Sequence, residues 1–151
     1  MSMSILRNDL QVALNNLHVA LITSDEDYRD AAEFVSDRAV KELFIQLAES
    51  RQVLEKSVAV AIRASDDLPS VPDPDRQTGQ HLLQRLDAAF SADQTVEIIE
   101  QRLAEEAELE ELLNDDDMSV IDKDFPSLRS DCMASIKEAK EKLERAKAGE
   151  H

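Results

Sequence analysis

The sequence predicts an all-α protein, a single domain over 1–151 built as an antiparallel bundle of four helices with one long connection between the second and the third. Three observations carry that prediction. Apolar residues recur at steps of three, four or seven over long stretches, as Leu10, Leu14, Leu17, Leu21, Tyr28, Ala31 and Val35 do. Glycine and proline, the residues that punctuate helices, number only two and four in 151 residues. Apolar residues at 42% and charged ones at 33% suit a packed core beneath a solvated shell rather than a disordered chain.

The first helix is expected from about Ser4 to Val35, a rod of roughly 45 Å at 1.5 Å per residue. It stops at Ser36-Asp37, where Ser36 can cap the next helix and Val35 can staple onto Val40. So short a turn folds the second helix back antiparallel. That helix, about Asp37 to Ala64, turns Val40, Phe44, Leu47, Leu54, Val58 and Ala61 inward. It ends at "SDDLPSVPDPDR", where three prolines in twelve residues cannot sustain a helix. The connection occupies about 66–91, and "QTGQHLLQRLDAAF" within it reads as a short extra amphipathic helix. Ser91-x-x-Gln94 has the form of a capping box opening the third helix, about Ala92 to Leu113. "NDDDMSVIDKDF" reads as a loop, with Pro126 tolerated in the first turn of the fourth helix. Leu128, Cys132, Ile136, Ala139, Leu143 and Ala146 line one side of that helix to Lys147, and 148–151 are expected to fray. Its other side alternates lysine and glutamate, giving exposed ion pairs worth only tenths of a kcal/mol each.

Charge and composition exclude several classes. The net charge of −16 repels nucleic acid and anionic lipid, so neither is an expected partner. No stretch approaches the roughly 18 apolar residues of a membrane-spanning helix. "MSMSILRNDL" lacks the basic start and apolar block of a secretion signal, which makes the cytoplasm the expected location. Cys132 is the only cysteine, so an internal disulfide and a multi-cysteine metal site are excluded. Ten acids fall between Glu97 and Asp117, against the single base Arg102. Such a run is a solvated face or a docking surface for a basic protein.

Two long helices, a long crossover and two further helices match ferritin-like connectivity better than a simple up-down-up-down bundle. The chain also resembles the bacterial ferritin-like four-helix-bundle family of unknown function. The residues that carry the resemblance are Asp25 and Glu26 before Tyr28, then Ala31-Ala32, Leu43-Phe44, Leu47-Ala48, Glu49 and Arg51. Gly79, His81, Leu82, Leu86, Ala88 and Ala89 add to it in the crossing segment. The likeness runs from about Leu10 to Lys147. It implies a ferritin-like fold, self-association, a stress-related role and no established reaction or catalytic residues.

Di-iron members of the ferritin-like fold use a Glu on each of two helices and Glu-x-x-His on each of the other two. That signature is missing: His18, His81 and His151 are preceded at the third position by Asn15, Thr78 and Ala148. Glu49-x-x-Gln52 imitates it with a poor ligand, and Glu138-x-x-Glu141 lies on a charged face with Lys140 alongside. Any iron or manganese site would have to be atypical and built from Asp25, Glu49, Glu105 and Glu106. No cofactor is expected otherwise.

A different buried cluster is expected instead. Asp25 shares a face with Leu14, Leu21 and Tyr28. Arg51 interrupts the apolar stripe of the second helix, and Glu106 lies with Ile99, Leu103 and Leu113. Counting from the turn, Arg51 lies one helical turn, roughly 5 Å, beyond the level of Asp25. Arg51 is therefore expected to neutralise Asp25 and one of Glu105 or Glu106 mid-bundle, with the Tyr28 hydroxyl as a further partner. The alternative is that Arg51 runs out to solvent at the bundle edge. Tyr28, His18, His81 and Cys132 read as structural residues, and no phosphate loop, nucleophile elbow or triad is present. These readings favour a non-enzymatic bundle acting through oligomerisation or protein contact. A metal-binding or oxidising protein and an acidic mimic of nucleic acid are the alternatives. Val12, Val19 and Ile45 widen the apolar face and make a homodimer plausible.

Overall fold

The computed structural model describes residues 8–69 and 94–149, and they are helical with no strand among them. The long helices are α1 (Asp9–Ala32), α2 (Arg38–Ala64), α3 (Thr95–Asn114) and α5 (Leu128–Lys147). A 3₁₀ turn over Asp116–Val120 and the one-turn α4 (Ile121–Asp124) join the last two.

Caps set most of these boundaries. Asn8 Oδ1 accepts from Gln11 N at 2.8 Å and Gln11 Oε1 accepts from Asn8 N at 3.0 Å, a reciprocal box that opens α1. The expected start at Ser4 lies outside the described residues. α1 ends at Ala32, three residues before the expected Val35, and Asp37 rather than Ser36 caps α2, accepting from Val40 N at 3.1 Å. A shorter α1 leaves Glu33–Asp37 to make the reversal, and a carboxylate at the N-cap also meets the positive end of the helix dipole. α2 closes with Asp66 in the left-handed region at φ 64°. Asp67 N donates to Ile62 O and Asp66 N to Arg63 O, the paired bonds of a Schellman motif. Aspartate is one of the few non-glycine residues that enter this region readily.

α3 begins at Thr95 with Gln94 as its N-cap and no side-chain cap bond, so Gln94 does not take the interior capping-box position expected of it. Ser91 and the short extra helix expected near 77–90, with Gly79 and His81, lie outside the described residues. "DDMSVIDKD" is not the loop that its acids suggest. Met118 and Ile121 are buried and turn the segment into helical pieces that plug one end of the core. Arg129 then ties three elements together. Its Nη1 donates to the carbonyl of Leu113 at 2.7 Å, and its Nε and Nη2 donate to the Asp122 carboxylate.

Packing follows from these ends. Gln11 Nε2 reaches Ser65 O at 2.7 Å, so α1 and α2 run antiparallel along their length. Lys140 meets Glu110 at 2.6 Å and Lys147 meets Glu100 at 3.4 Å, so α3 and α5 do the same. The two pairs join where α1 packs on α3 and α2 on α5. One apolar cluster, around Tyr28, Val40, Phe44, Ile98, Ile99 and Leu143, fills the end near the α1–α2 turn. Another, around Leu14, Leu17, Ile62, Leu113, Met118 and Ile136, fills the opposite end. Fully burying each Leu, Ile, Phe or Met side chain stabilises the fold by about 1.5–3 kcal/mol. Between the clusters the core is charged.

Candidate functional site

The layer between the two clusters is built by polar residues from all four long helices, whose inward stripes are otherwise apolar. Arg51 on α2 is 0% exposed and Glu106 on α3 is 2% exposed. Arg51 Nη2 donates to Glu106 Oε1 at 2.6 Å, and the Tyr28 hydroxyl on α1 donates to Glu106 Oε2 at 2.5 Å. Both carboxylate oxygens are thereby engaged. Arg51 Nη1 donates to Ser24 Oγ on α1 at 2.9 Å and Arg51 Nε to Ser135 Oγ on α5 at 3.3 Å, with Ser50 Oγ 3.4 Å from Ser135 Oγ. A single guanidinium thus touches α1, α3 and α5 from α2. A buried charge of this kind is tolerated only when it is paired and its hydrogen bonds are filled.

A second buried arginine lies beside it. Arg102, 2% exposed, pairs with Glu105 one turn along α3 and comes within 4.0 Å of Asp27 Oδ2. Its Nε–H has no hydrogen-bond partner among the described residues. Both guanidinium carbons approach the Tyr28 ring, Arg51 at 5.9 Å and Arg102 at 5.7 Å from its centroid, within cation–π range. Tyr28 also tilts against Phe44 at 5.9 Å. Burial first, and the Glu106 carboxylate second, push the Tyr28 hydroxyl well above its usual titration range, so it is a hydrogen-bond donor at any physiological pH.

The structure brings together Tyr28, Arg51 and Glu106 and leaves Asp25 out. Asp25 Oδ1 instead accepts from Arg29 Nε, one turn along the same helix, at 2.7 Å. The physical reason is reach. Arg51 fills its hydrogen bonds on Ser24, Ser135 and Glu106, all level with it, whereas Arg29 is Asp25's natural i,i+4 partner. Arg51 does not run to solvent.

The candidate metal ligands also separate. Glu49 is exposed, Glu105 is paired to Arg102, Glu106 to Arg51 and Asp25 to Arg29. Among the described residues no three His, Cys, Asp or Glu side chains converge as a metal shell would require. A dication beside Arg51 would also meet a fixed positive charge. The donor set present does not fit iron or manganese.

Two further titratable side chains, Cys132 and His18, are buried. Burial raises the Cys132 thiol to about 11, which removes it as a nucleophile. His18, 5% exposed, is held below its ordinary range by burial and then by Arg63. Shallow grooves reach the edge of the layer at Ser24 and Glu105 on one side and at Ser50 and Ser135 on another, and neither is lined by Arg51 or Glu106. Of the residues expected to broaden the apolar face, Ile45 packs on the core, while Val12 and Val19 are 44% and 45% exposed.

Reading the sequence missed Arg102, Asp27, Ser24 and Ser135. Arg102 had a signal: Ile98, Ile99, Arg102, Glu106, Leu109 and Leu113 recur at helical spacing, and all six are buried. The serines had none, because small hydroxyls occur on every face of these helices. No protein-family model matches this chain, and no curated protein or solved structure matches it significantly.

Proposed function

We propose that the protein is a non-enzymatic, ferritin-like four-helix bundle in which Arg51 and Glu106 hold the mid-bundle position that metal holds in di-iron proteins of that fold. The observation that supports this reading is the pairing of a fully buried guanidinium with a carboxylate whose two oxygens are both taken. Connectivity supports the ferritin-like assignment. α2 ends beside the start of α1, through Gln11 and Ser65, while Ile98 and Ile99 at the start of α3 pack with Ala31 and Val35 at its other end. The end of α2 and the start of α3 therefore lie at opposite ends of the helices, which is the feature that separates this topology from a simple up-and-down bundle.

Function then resides on the surface. Glu97, Glu108, Glu111, Asp115, Asp116 and Asp117 are exposed on and just beyond α3, whereas Glu100 and Glu110 are tied to α5. This outer face suits a basic protein partner, and association of this kind is steered by charge and weakened by salt. Self-association through Val12 and Val19 is the second contact the surface offers. The cytoplasm remains the expected setting, and no described helix is long and apolar enough to cross a membrane.

Elemental analysis of full-length protein purified without chelator tests the central claim. The expected content of Fe, Mn and Zn together is below about 0.1 equivalent, because no site among the described residues offers the ligand number these metals require. Stoichiometric metal that survives dialysis would overturn the reading. Light scattering reports the oligomeric state, and reversal of Glu108 and Glu111 to lysine is expected to abolish any salt-sensitive partner binding.

A further inference from the structure

One face of α2 is open along its length and yet carries no charge. In alternate steps of four and three, positions 39, 43, 46, 50, 53, 57, 60 and 64 read Ala, Leu, Gln, Ser, Val, Ser, Val and Ala, in a chain where 33% of residues are charged. Leu43 and Ser50 are half-buried and the other six are exposed. Val53 and Val60, each 64% exposed, are the most exposed large apolar side chains on any described helix. This is not the face that builds the core, which is Val40, Phe44, Leu47, Val58 and Ile62. An uncharged seam that keeps a seven-residue period over more than three heptads, with charges beside it, marks a helix that pairs with another helix.

The charges beside it are sorted. Glu42, Glu49, Lys56 and Arg63 follow the outer flank of the seam at steps of seven, and all four are exposed. Two acids lie toward the start of α2 and two bases toward its end. Glu42 comes within 3.5 Å of the exposed Arg38, while Glu49, Lys56 and Arg63 make no ion pair among the described residues.

We propose that α2 pairs antiparallel with α2 of a second copy, about a two-fold axis level with Ser50 and Val53. Such an interface is self-complementary by symmetry, and this seam meets that condition. Turned end for end, Ala39 meets the partner's Ala64, Leu43 the partner's Val60, Gln46 the partner's Ser57 and Ser50 the partner's Val53. The flank matches as well. Glu42 comes level with the partner's Arg63 and Glu49 with the partner's Lys56, and symmetry repeats each pair. A parallel pairing achieves neither match, because it sets these charges against the flank of Leu47 and Leu54, which pack into the core. On the inner border, grooves between α2 and α5 hold Leu43 and Gln46 at one level and Ser50 and Val53 at another. α5 lines the second groove with Ala134, so at the level of the axis the two copies of α5 approach over a small side chain. The seam is separate from the acidic face of α3 and from Val12 and Val19 on α1, and the pairing stands whether or not those surfaces bind anything.

Sedimentation equilibrium and native mass spectrometry of the full chain test this at about 0.15 M salt, where repulsion between chains of net charge −16 is screened beyond roughly 8 Å. Wild type is expected to dimerise. Glu49→Lys sets lysine against lysine twice across the axis, and Lys56→Glu sets glutamate against glutamate. Each alone should weaken the dimer by about tenfold or more. Mixed one to one, the two variants should recover it as a heterodimer, because the mixed pair restores both opposite-charge contacts. Both changes fall on exposed positions, so circular dichroism should show the helices intact. A chain carrying Ser50→Cys and Val53→Cys should oxidise to a covalent dimer, whereas Ala39→Cys, roughly 37 Å from its own copy in this arrangement, should not. Wild type that stays monomeric at about 200 µM overturns the proposal and leaves the seam to the connecting residues 70–93 or to a foreign helix. A dimer that persists in Val53→Glu overturns it by placing the contact elsewhere. Charge variants that fail to recover on mixing do the same.

Discussion

Replacing Glu106 by glutamine isolates the charge in the core while keeping its shape. The amide retains an oxygen that can accept one bond, but Arg51, 0% exposed, loses its only buried counter-charge on Glu106 Oε1 at 2.6 Å. Removing one partner of a buried pair costs about 3–5 kcal/mol, since the other charge stays desolvated. For a domain of this size each kcal/mol moves Tm by about 2–4 °C, so Glu106→Gln should melt roughly 6–20 °C below wild type. Arg51→Met should also destabilise, because it leaves the Glu106 carboxylate desolvated without its counter-charge. The apolar triple variant Arg51→Met, Glu106→Leu, Tyr28→Phe removes both charges and the hydroxyl together. It should equal or exceed wild type, as buried pairs replaced by packed side chains commonly do. Circular dichroism melts and urea titrations of the four proteins measure these differences. A Glu106→Gln melt within about 2 °C of wild type, or an apolar triple variant less stable than Arg51→Met, would refute the argument.

Tyr28 is the only tyrosine, so absorbance at 295 nm reports it alone. No ionisation step is expected near pH 10 in the folded protein; the hydroxyl's contribution is complete below the unfolded value and is lost as pH climbs above it. An ordinary step near 10 in folded protein would contradict the buried bond to Glu106. Cys132 should react slowly with a thiol reagent at pH 8 and rapidly once urea unfolds the chain, since burial holds its thiol at about 11. Arg129→Ala should lower Tm modestly and speed amide exchange at the end of α3 and in α4, leaving the α1–α2 pair unaffected. Equal change in both regions would show that Arg129 is not the local tie its bonds to Leu113 and Asp122 describe.

The all-α class and the inward stripes could be read directly from the chain because helical spacing is a local property. Leu14, Phe44, Ile99 and Leu143 each sit where periodicity places them. Ends were less legible. Asp37 and Ser36 are both competent caps, and only the tertiary closing of the turn selects between them. Met118 and Ile121 hid among acids, since a segment this short holds too few apolar residues to set a period, and the open end of the core recruits them. The buried layer was half visible. Tyr28, Arg51 and Glu106 interrupt apolar stripes and so announce themselves. Which carboxylate Arg51 would take depended on the axial level of each helix, and sequence spacing does not fix that across a long connection.

The charge layer also answers why these helices settle in one register. Their inner faces are mostly leucine, isoleucine, valine and alanine, which pack acceptably after a slip of one turn, a shift of about 5.4 Å. Arg51 and Glu106 do not tolerate that slip. Their bond spans α2 and α3, which are separated by the long connection, and Ser24 and Ser135 add α1 and α5 to the same level. A one-turn displacement of any one helix breaks at least one of these contacts, and displacing α2 or α3 strands two charges in an apolar interior. The layer therefore acts chiefly by penalising wrong arrangements, with little net gain over apolar packing in the right one. The apolar triple variant separates these two effects. Its melting temperature should be undiminished while its amide NMR spectrum shows doubled or broadened resonances along α2 and α3. A single sharp set of peaks in that variant would mean that side-chain shape alone selects the register and that the buried charges are dispensable to the fold.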